Sequence, residues 1–158
     1  MDRFQHYIDG AFDDGAATFE SLDPASGAPW ALMPLAGAAE VDRAVQAAHR
    51  AFTTGPWPAL TATARGKLLY RLADLVQAAA PRLAVLETRD TGKIIRETSA
   101  QIAYVAEYYR YYAGLADKIE GAHLPIDKPD REVWLRREPV GGVAGIVPWD
   151  GRLFLSAV

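Results

Sequence analysis

EPVGGVAGIVPWD, residues 138–150, is the stretch that indicates the fold class. Its centre, Val143 to Val147, is a short uncharged apolar run between glycines and Pro148. Such a run is typical of a strand buried on both faces, as in a parallel sheet. Pro148 cannot donate to a sheet, so the strand should end there, with Trp149 and Asp150 at its carboxyl end. Because ligands of open α/β sheets bind at that edge, the stretch predicts an α/β fold and a ligand site.

Composition and charge are those of an ordinary globular protein. The chain has 158 residues, of which 50% are hydrophobic and 23% charged, and its formal net charge is −3. This weakly acidic balance offers no basic surface for nucleic acid or for an anionic membrane. No uncharged run approaches the roughly 18 residues of a membrane helix. With no apolar leader near residue 1, the expected location is cytoplasmic.

The sequence contains no cysteine. Disulfides, thiolate metal sites and thiol nucleophiles are therefore excluded within these 158 residues. The three histidines, His6, His49 and His123, lack the spacing of metal ligands. No serine is accompanied by a histidine and a carboxylate in a pattern that indicates a catalytic triad.

Short strands are predicted in the first 35 residues. Asp9-Gly10 lies between short apolar runs, which is the pattern of a tight hairpin, because glycine accepts the positive φ that the turn requires. Alternation predicts a strand over Thr18–Leu22 and an extended segment over Trp30–Leu35. The proline and glycine of residues 23–27 predict a turn between them.

Apolar periodicity predicts four helices after residue 38. The first covers about Ala39–Phe52, and the second has Thr61 as its N-cap. Pro81 suits the first turn of a third helix, which Thr91-Gly92 should end. The fourth carries a regular stripe from Ile102 to Ile119 beside a row of tyrosines, and Gly121 should end it. Glu132–Arg137 then reads as a strand flanked by charges.

Eight stretches of the sequence, taken together and in order, resemble the aldehyde dehydrogenase superfamily. They are YIDGAF, LDPASG, EVDRAVQAAHRAF, GPWPALTATARGKLLYRLADL, LETRDTGK, YYAGLADKIEG, LRREPVG and EPVGGVAGIVPWD. The resemblance implies that residues 1–158 are a partial cofactor-binding domain. Its helices would pack on short strands and on the first strand of a Rossmann-type parallel sheet. Residues 132–138 would form a strand of the family's oligomerisation element.

The same resemblance implies an NAD or NADP site. The residues expected to line its adenosine end are Ile146, Val147, Pro148 and Trp149. Asp150 stands where the family usually carries an asparagine, whose side-chain N–H donates to the developing oxyanion. An ionised aspartate can only accept, so the substitution weighs against catalysis. Arg152 is a candidate partner of Asp150, two residues away.

Asp90, in LETRDTGK, resembles a position at which the family can bind a structural monovalent cation. The backbone oxygens near Ser21 and Leu22 would complete that site. The alternative is a helix-end aspartate whose carboxylate is satisfied by neighbouring protein N–H groups.

The family oxidises an aldehyde to a carboxylic acid with a cysteine nucleophile and a glutamate base, both of which would lie beyond residue 158. We therefore expect a truncated or split member that is inactive alone and binds NAD weakly or not at all. It should form a homo-oligomer or associate with a complementary fragment, and an aldehyde would bind only to the complete enzyme. The alternative is a non-catalytic interaction module that docks on a full-length dehydrogenase or on itself.

Overall fold

The computed structural model describes all 158 residues, as helices packed beside three small sheets. The strands are β1 (Asp2–Arg3), β2 (His6–Ile8), β3 (Ala11–Asp13), β4 (Ala17–Leu22), β5 (Pro29–Leu35), β6 (Ala122–Leu124) and β7 (Val133–Leu135). The α-helices are α1 (Ala38–Thr53), α2 (Ala62–Thr91), α3 (Ile95–Leu115) and α4 (Arg152–Ala157). Short 3₁₀ turns cover Trp57–Ala59 and Trp149–Gly151. The mixed α/β architecture is the one predicted. None of the helices combines the length and the hydropathy of a membrane-spanning segment.

The hairpin predicted at Asp9-Gly10 is confirmed. Strands β2 and β3 pair antiparallel, and the two turn residues have φ of 54° and 80°. Both values lie in the left-handed region that a type I′ turn requires. Two ion pairs join the hairpin to α1, Arg43 to Asp13 at 2.6 Å and Arg50 to Asp9 at 2.9 Å. All four side chains are partly exposed, so these pairs orient the hairpin more than they stabilise it.

The second sheet has the order β1-β5-β4, with β5 parallel to β1 and antiparallel to β4. The predicted turn between β4 and β5 is present, since the N–H of Gly27 donates to the carbonyl of Asp23 at 2.7 Å. Gly27 has φ 68°, which explains the glycine at that position. The inward face of this sheet contributes Ser21 and Trp30, both buried, to the contact with α2.

The prediction that a third helix starts at Pro81 is wrong. Residues Ala62–Thr91 form one helix with Pro81 inside it. Its predicted ends are correct, because the hydroxyl of Thr61 accepts from the N–H of Ala64 at 3.2 Å and Gly92 has φ 79°. Proline removes one helical hydrogen bond. The helix continues through Pro81 because α2 has buried residues both before and after it, and their packing outweighs the low helix propensity of proline.

The core lies between α2 and α3. Its largest fully buried side chains are Ile102, Val105 and Thr98, and the Thr98 hydroxyl lies 2.8 Å from that of Thr88 on α2. Helix α3 begins earlier than predicted, and it ends at Leu115 instead of near Gly121. The side chain of Lys118 donates to the carbonyl of Gly114 at 2.7 Å and so satisfies one end group of the helix.

The structure differs from the predicted strands at two places in the last 40 residues. The predicted strand at Glu132–Arg137 is shorter, since only Val133–Leu135 pairs, with Ala122–Leu124, in an exposed hairpin. The strand predicted at Val143–Val147 is not formed, and Ile146 is 98% exposed. A strand is stabilised by hydrogen bonds to its neighbours, and no strand of the 158 residues pairs with this segment to provide them.

Alanine at Gly66 is expected to destabilise the chain by about 1 kcal/mol. A Cβ at this position of α2 would lie 2.7 Å from the carbonyl oxygen of Ala113 on α3. Overpacking of this kind costs about 1–3 kcal/mol, against a gain of up to about 1 kcal/mol in helix propensity. Urea unfolding followed by circular dichroism measures the difference.

Alanine at Gly114 is the matched control for Gly66. Its added Cβ meets only the Tyr70 hydroxyl, at 3.4 Å, so the helix-propensity gain should prevail and the variant should be unchanged or more stable. Equal stability changes in the two variants would show that the helices do not approach closely at Gly66.

Candidate functional site

The residues predicted to line a cofactor lie on an open segment that ends in a turn. Ile146 and Pro148 are exposed, and Val147 is half-buried. Trp149 begins the 3₁₀ turn, and its indole N–H donates to the backbone carbonyl of Asp90 at 3.2 Å. Asp150 is exposed in the same turn, and its carboxylate makes no ion pair. Residues 146–150 thus lie at one exposed edge, where Val147 lines a groove and Trp149 is attached to α2 by its indole N–H.

Asp90 is 4% exposed and joins α2 to the sheet. Its Oδ1 accepts from the hydroxyl of Ser21 at 2.5 Å and from the indole N–H of Trp30 at 3.2 Å. Its Oδ2 has no hydrogen bond of normal geometry and faces the guanidinium of Arg152. A buried carboxylate needs such partners, because an isolated charge in the interior is costly. The carboxylate is thus engaged by three side chains of this protein.

Arg152 is the residue of this site that the sequence analysis misassigned. It contacts Asp90 instead of the expected Asp150, and its guanidinium also lies 4.0 Å from the centre of the Trp149 ring. Partial burial lowers the pKa of the guanidinium from its ordinary value, and the nearby Glu87 opposes that change. An arginine remains charged after such a change. The pairing could not be read from sequence, since Asp90 and Arg152 are brought together only by the packing of α2 against the turn.

A mainly apolar groove of about 420 Å³ adjoins this cluster. Its lining includes Trp30, Leu86, Val147 and Leu153. The Oε1 atom of Glu87 is buried beside it without a hydrogen-bond partner. A groove of this size and lining can hold an apolar group of a ligand or of another protein segment. No three histidine, aspartate or glutamate side chains converge in the structure as they would around a metal ion.

The exposed edge presents apolar side chains and a backbone without strand partners. Ile146 and Pro148 are exposed, and the backbone from 143 to 147 makes no sheet hydrogen bonds. The indole N–H of Trp149 is already engaged, which leaves its ring for contact with a ligand.

The chain is similar in sequence to known proteins. A sequence model described as "Aldehyde dehydrogenase family" matches residues 12–158. The (Z)-2-((N-methylformamido)methylene)-5-hydroxybutyrolactone dehydrogenase of Acinetobacter baylyi is 68% identical over the whole chain, which covers 32% of that relative. Aldehyde dehydrogenase 1 of Tanacetum cinerariifolium is 40% identical over 96% of the chain and 31% of its own length.

Solved structures give the same result. Betaine aldehyde dehydrogenase of Staphylococcus aureus, in complex with NAD+, superimposes with a TM-score of 0.88 at 35% identity. The match covers 97% of this chain and 31% of that one. The chain thus spans about a third of the length of its relatives and corresponds to their N-terminal portion. On sequence and structure alike, it belongs to the aldehyde dehydrogenase family.

Proposed function

We propose that this chain forms one edge of the cofactor site of an NAD(P)-dependent aldehyde dehydrogenase, which oxidises an aldehyde to a carboxylic acid. The observation that carries the proposal is the family match over residues 12–158, which includes the open segment and its turn. The dinucleotide, when bound, accepts a hydride. This chain's own part is to bind and orient. With no cysteine in its sequence, it is inactive alone.

Each residue of the edge has a role in this proposal. Ile146, Val147 and Pro148 contact the adenosine end of the dinucleotide, and the Trp149 ring borders it. Asp150 lies beside the developing oxyanion, where a carboxylate repels charge that an amide would stabilise. This chain is therefore a weak contributor at the oxyanion position.

The proposed substrate class follows from the 68% identical relative. That protein is by name a (Z)-2-((N-methylformamido)methylene)-5-hydroxybutyrolactone dehydrogenase, so the compound in its name is a substituted 5-hydroxybutyrolactone. A 5-hydroxybutyrolactone opens to an acid that carries an aldehyde group. We propose that a 4-oxo acid in equilibrium with its hydroxylactone is the first substrate to test, ahead of simple aliphatic aldehydes.

The isolated chain is expected to produce no NADH or NADPH from any aldehyde, because it lacks a thiol nucleophile.

Co-expression with the remaining part of the Acinetobacter baylyi relative, beyond the third that aligns, should give a complex that oxidises the 4-oxo acid. Asp150→Asn should raise kcat of that complex by about 10²-fold or more, since one oxyanion donor is worth about that much. The assay is reduced-cofactor absorbance with purified protein.

Two outcomes separate the possibilities. Turnover by the isolated chain, after host enzymes are removed, would overturn the proposal. A defined but inactive complex, with Asp150→Asn also inactive, would favour the non-catalytic interaction module.

Calorimetric titration of the isolated chain with sub-millimolar NAD should give no saturable heat, because one edge of the site offsets little of the ligand freedom that is lost on binding.

We keep the monovalent-cation site at Asp90, with backbone oxygens near Ser21 and Leu22, as a separate proposal. The Arg152 guanidinium lies on the same carboxylate, so a cation and this side chain compete. Thermal unfolding of the unmodified chain should be the same in potassium chloride and in choline chloride. In Arg152→Met, potassium should raise the Tm by about 2–4 °C for each kcal/mol of stabilisation that it supplies. An equal Tm in both salts for that variant would remove the cation site.

A further inference from the structure

The segment before the turn at residues 149–151 is not held in a sheet. Residues 136–148 contain no helix or strand, and Val143 and Ile146 are exposed. The short helix α4 follows the turn, and its Phe154 ring lies 5.9 Å from that of Tyr104 on α3. Side-chain contacts, and not strand pairing, must therefore fix the orientation of the turn relative to α2.

Asp90 provides a fixed acceptor next to the turn. Its carboxylate is held from the sheet side by Ser21 and Trp30, which are both buried. Its backbone carbonyl accepts from Trp149, the first residue of the turn. One residue at the end of α2 thus contacts both the sheet and the turn.

We infer that Arg152 is a positioning residue, held between the Asp90 carboxylate and the Trp149 ring, that fixes the turn carrying Asp150. The guanidinium contacts the carboxylate on one side and lies 4.0 Å from the ring centre on the other. Trp149 and Arg152 are the two residues that bracket Asp150 and Gly151. Holding both ends of so short a turn restricts the backbone from which the Asp150 side chain projects.

An arginine suits this place better than a lysine. Its planar guanidinium can stack on an aromatic ring while it donates to a carboxylate, whereas an ammonium is a compact point charge. The expected effect of Arg152 on cofactor binding rests on the proposed function, whereas its contact with Asp90 and Trp149 does not. The contact and the effect on cofactor binding can therefore be tested separately.

The contact is tested on the 158-residue chain by its indole N–H signals in nitrogen-15 spectra. The four tryptophans give one signal each, and Trp149→Phe assigns the relevant one. Arg152→Met should shift the Trp149 signal and speed its hydrogen exchange at least tenfold, with Trp57 and Trp134 unchanged. Arg152→Lys should give an intermediate exchange rate, because lysine keeps the positive charge but lacks the planar guanidinium. Arg136→Met, at an exposed ion pair with Glu138, is the control and should change none of these signals.

An unchanged Trp149 signal in Arg152→Met, with circular dichroism unchanged, would overturn the inference. If that variant does not fold, Arg152→Lys decides, and full protection of the Trp149 N–H in it would exclude a stacking role. In the co-expressed complex, Arg152→Lys should raise KM for NAD several-fold more than it lowers kcat. An unaltered KM in an active complex would limit the role of Arg152 to the fold and leave the proposed function intact.

Discussion

Replacing Asp90 by alanine is expected to destabilise the chain by about 3 kcal/mol, mainly because two buried donors lose their acceptor at about 1–3 kcal/mol each. The donors are the Ser21 hydroxyl and the Trp30 indole N–H. Arg152 also loses its partner, but its side chain is 33% exposed and can turn toward water. Its share is therefore discounted to that of a surface pair, below about 1 kcal/mol.

Urea unfolding of Asp90→Ala, followed by circular dichroism at low protein concentration, measures this loss. Asp74→Ala is the matched control, because Asp74 also pairs with an arginine, at 2.8 Å, but its side chain is 71% exposed. Arg110 keeps Glu107 at 2.6 Å in that variant, so the expected loss is less than about 1 kcal/mol. Equal losses in the two variants would mean that the Asp90 cluster adds nothing beyond a surface ion pair.

The isolated chain is also expected to self-associate at micromolar concentration. Residues 140–147 have no strand partner, and their free N–H and C=O groups can pair with another chain. Tyr104, Tyr111 and Ile119 expose further apolar surface after α2 and α3 have packed. Contiguous apolar patches beyond a few hundred Å² are rare on a soluble monomer. Size exclusion with light scattering at several concentrations measures the association.

Two lysine variants distinguish association through the unpaired segment from association through other exposed apolar side chains. Val143→Lys places a charge in the segment and should shift the population toward monomer. Val85→Lys changes an exposed valine of α2, 56% exposed against 81% for Val143, and should leave association unchanged. A monomeric, cooperatively unfolding wild-type chain that binds no apolar dye would contradict the expectation and identify a self-sufficient domain.

Local chemistry in the sequence determined the turns and caps. Asp9-Gly10, Gly27, Thr61 and Gly92 each act through their own backbone or through groups within a few residues, so their roles could be read directly. The family also followed from sequence, because the order and spacing of its stretches are preserved whether or not each element forms. The α/β class was correct for the same reason.

Tertiary structure alone decided whether the longer elements form and which groups meet. Helix α2 runs through Pro81 because packing on both sides of it outweighs one lost hydrogen bond. The Val143–Val147 strand is absent because its stabilisation comes from neighbours and not from its own residues. Arg152 meets Asp90, 62 positions earlier, because two packed elements bring them together, and sequence spacing carries no information about such a contact. Local groups can be read from the chain, whereas pairing and burial depend on what the fold places beside them.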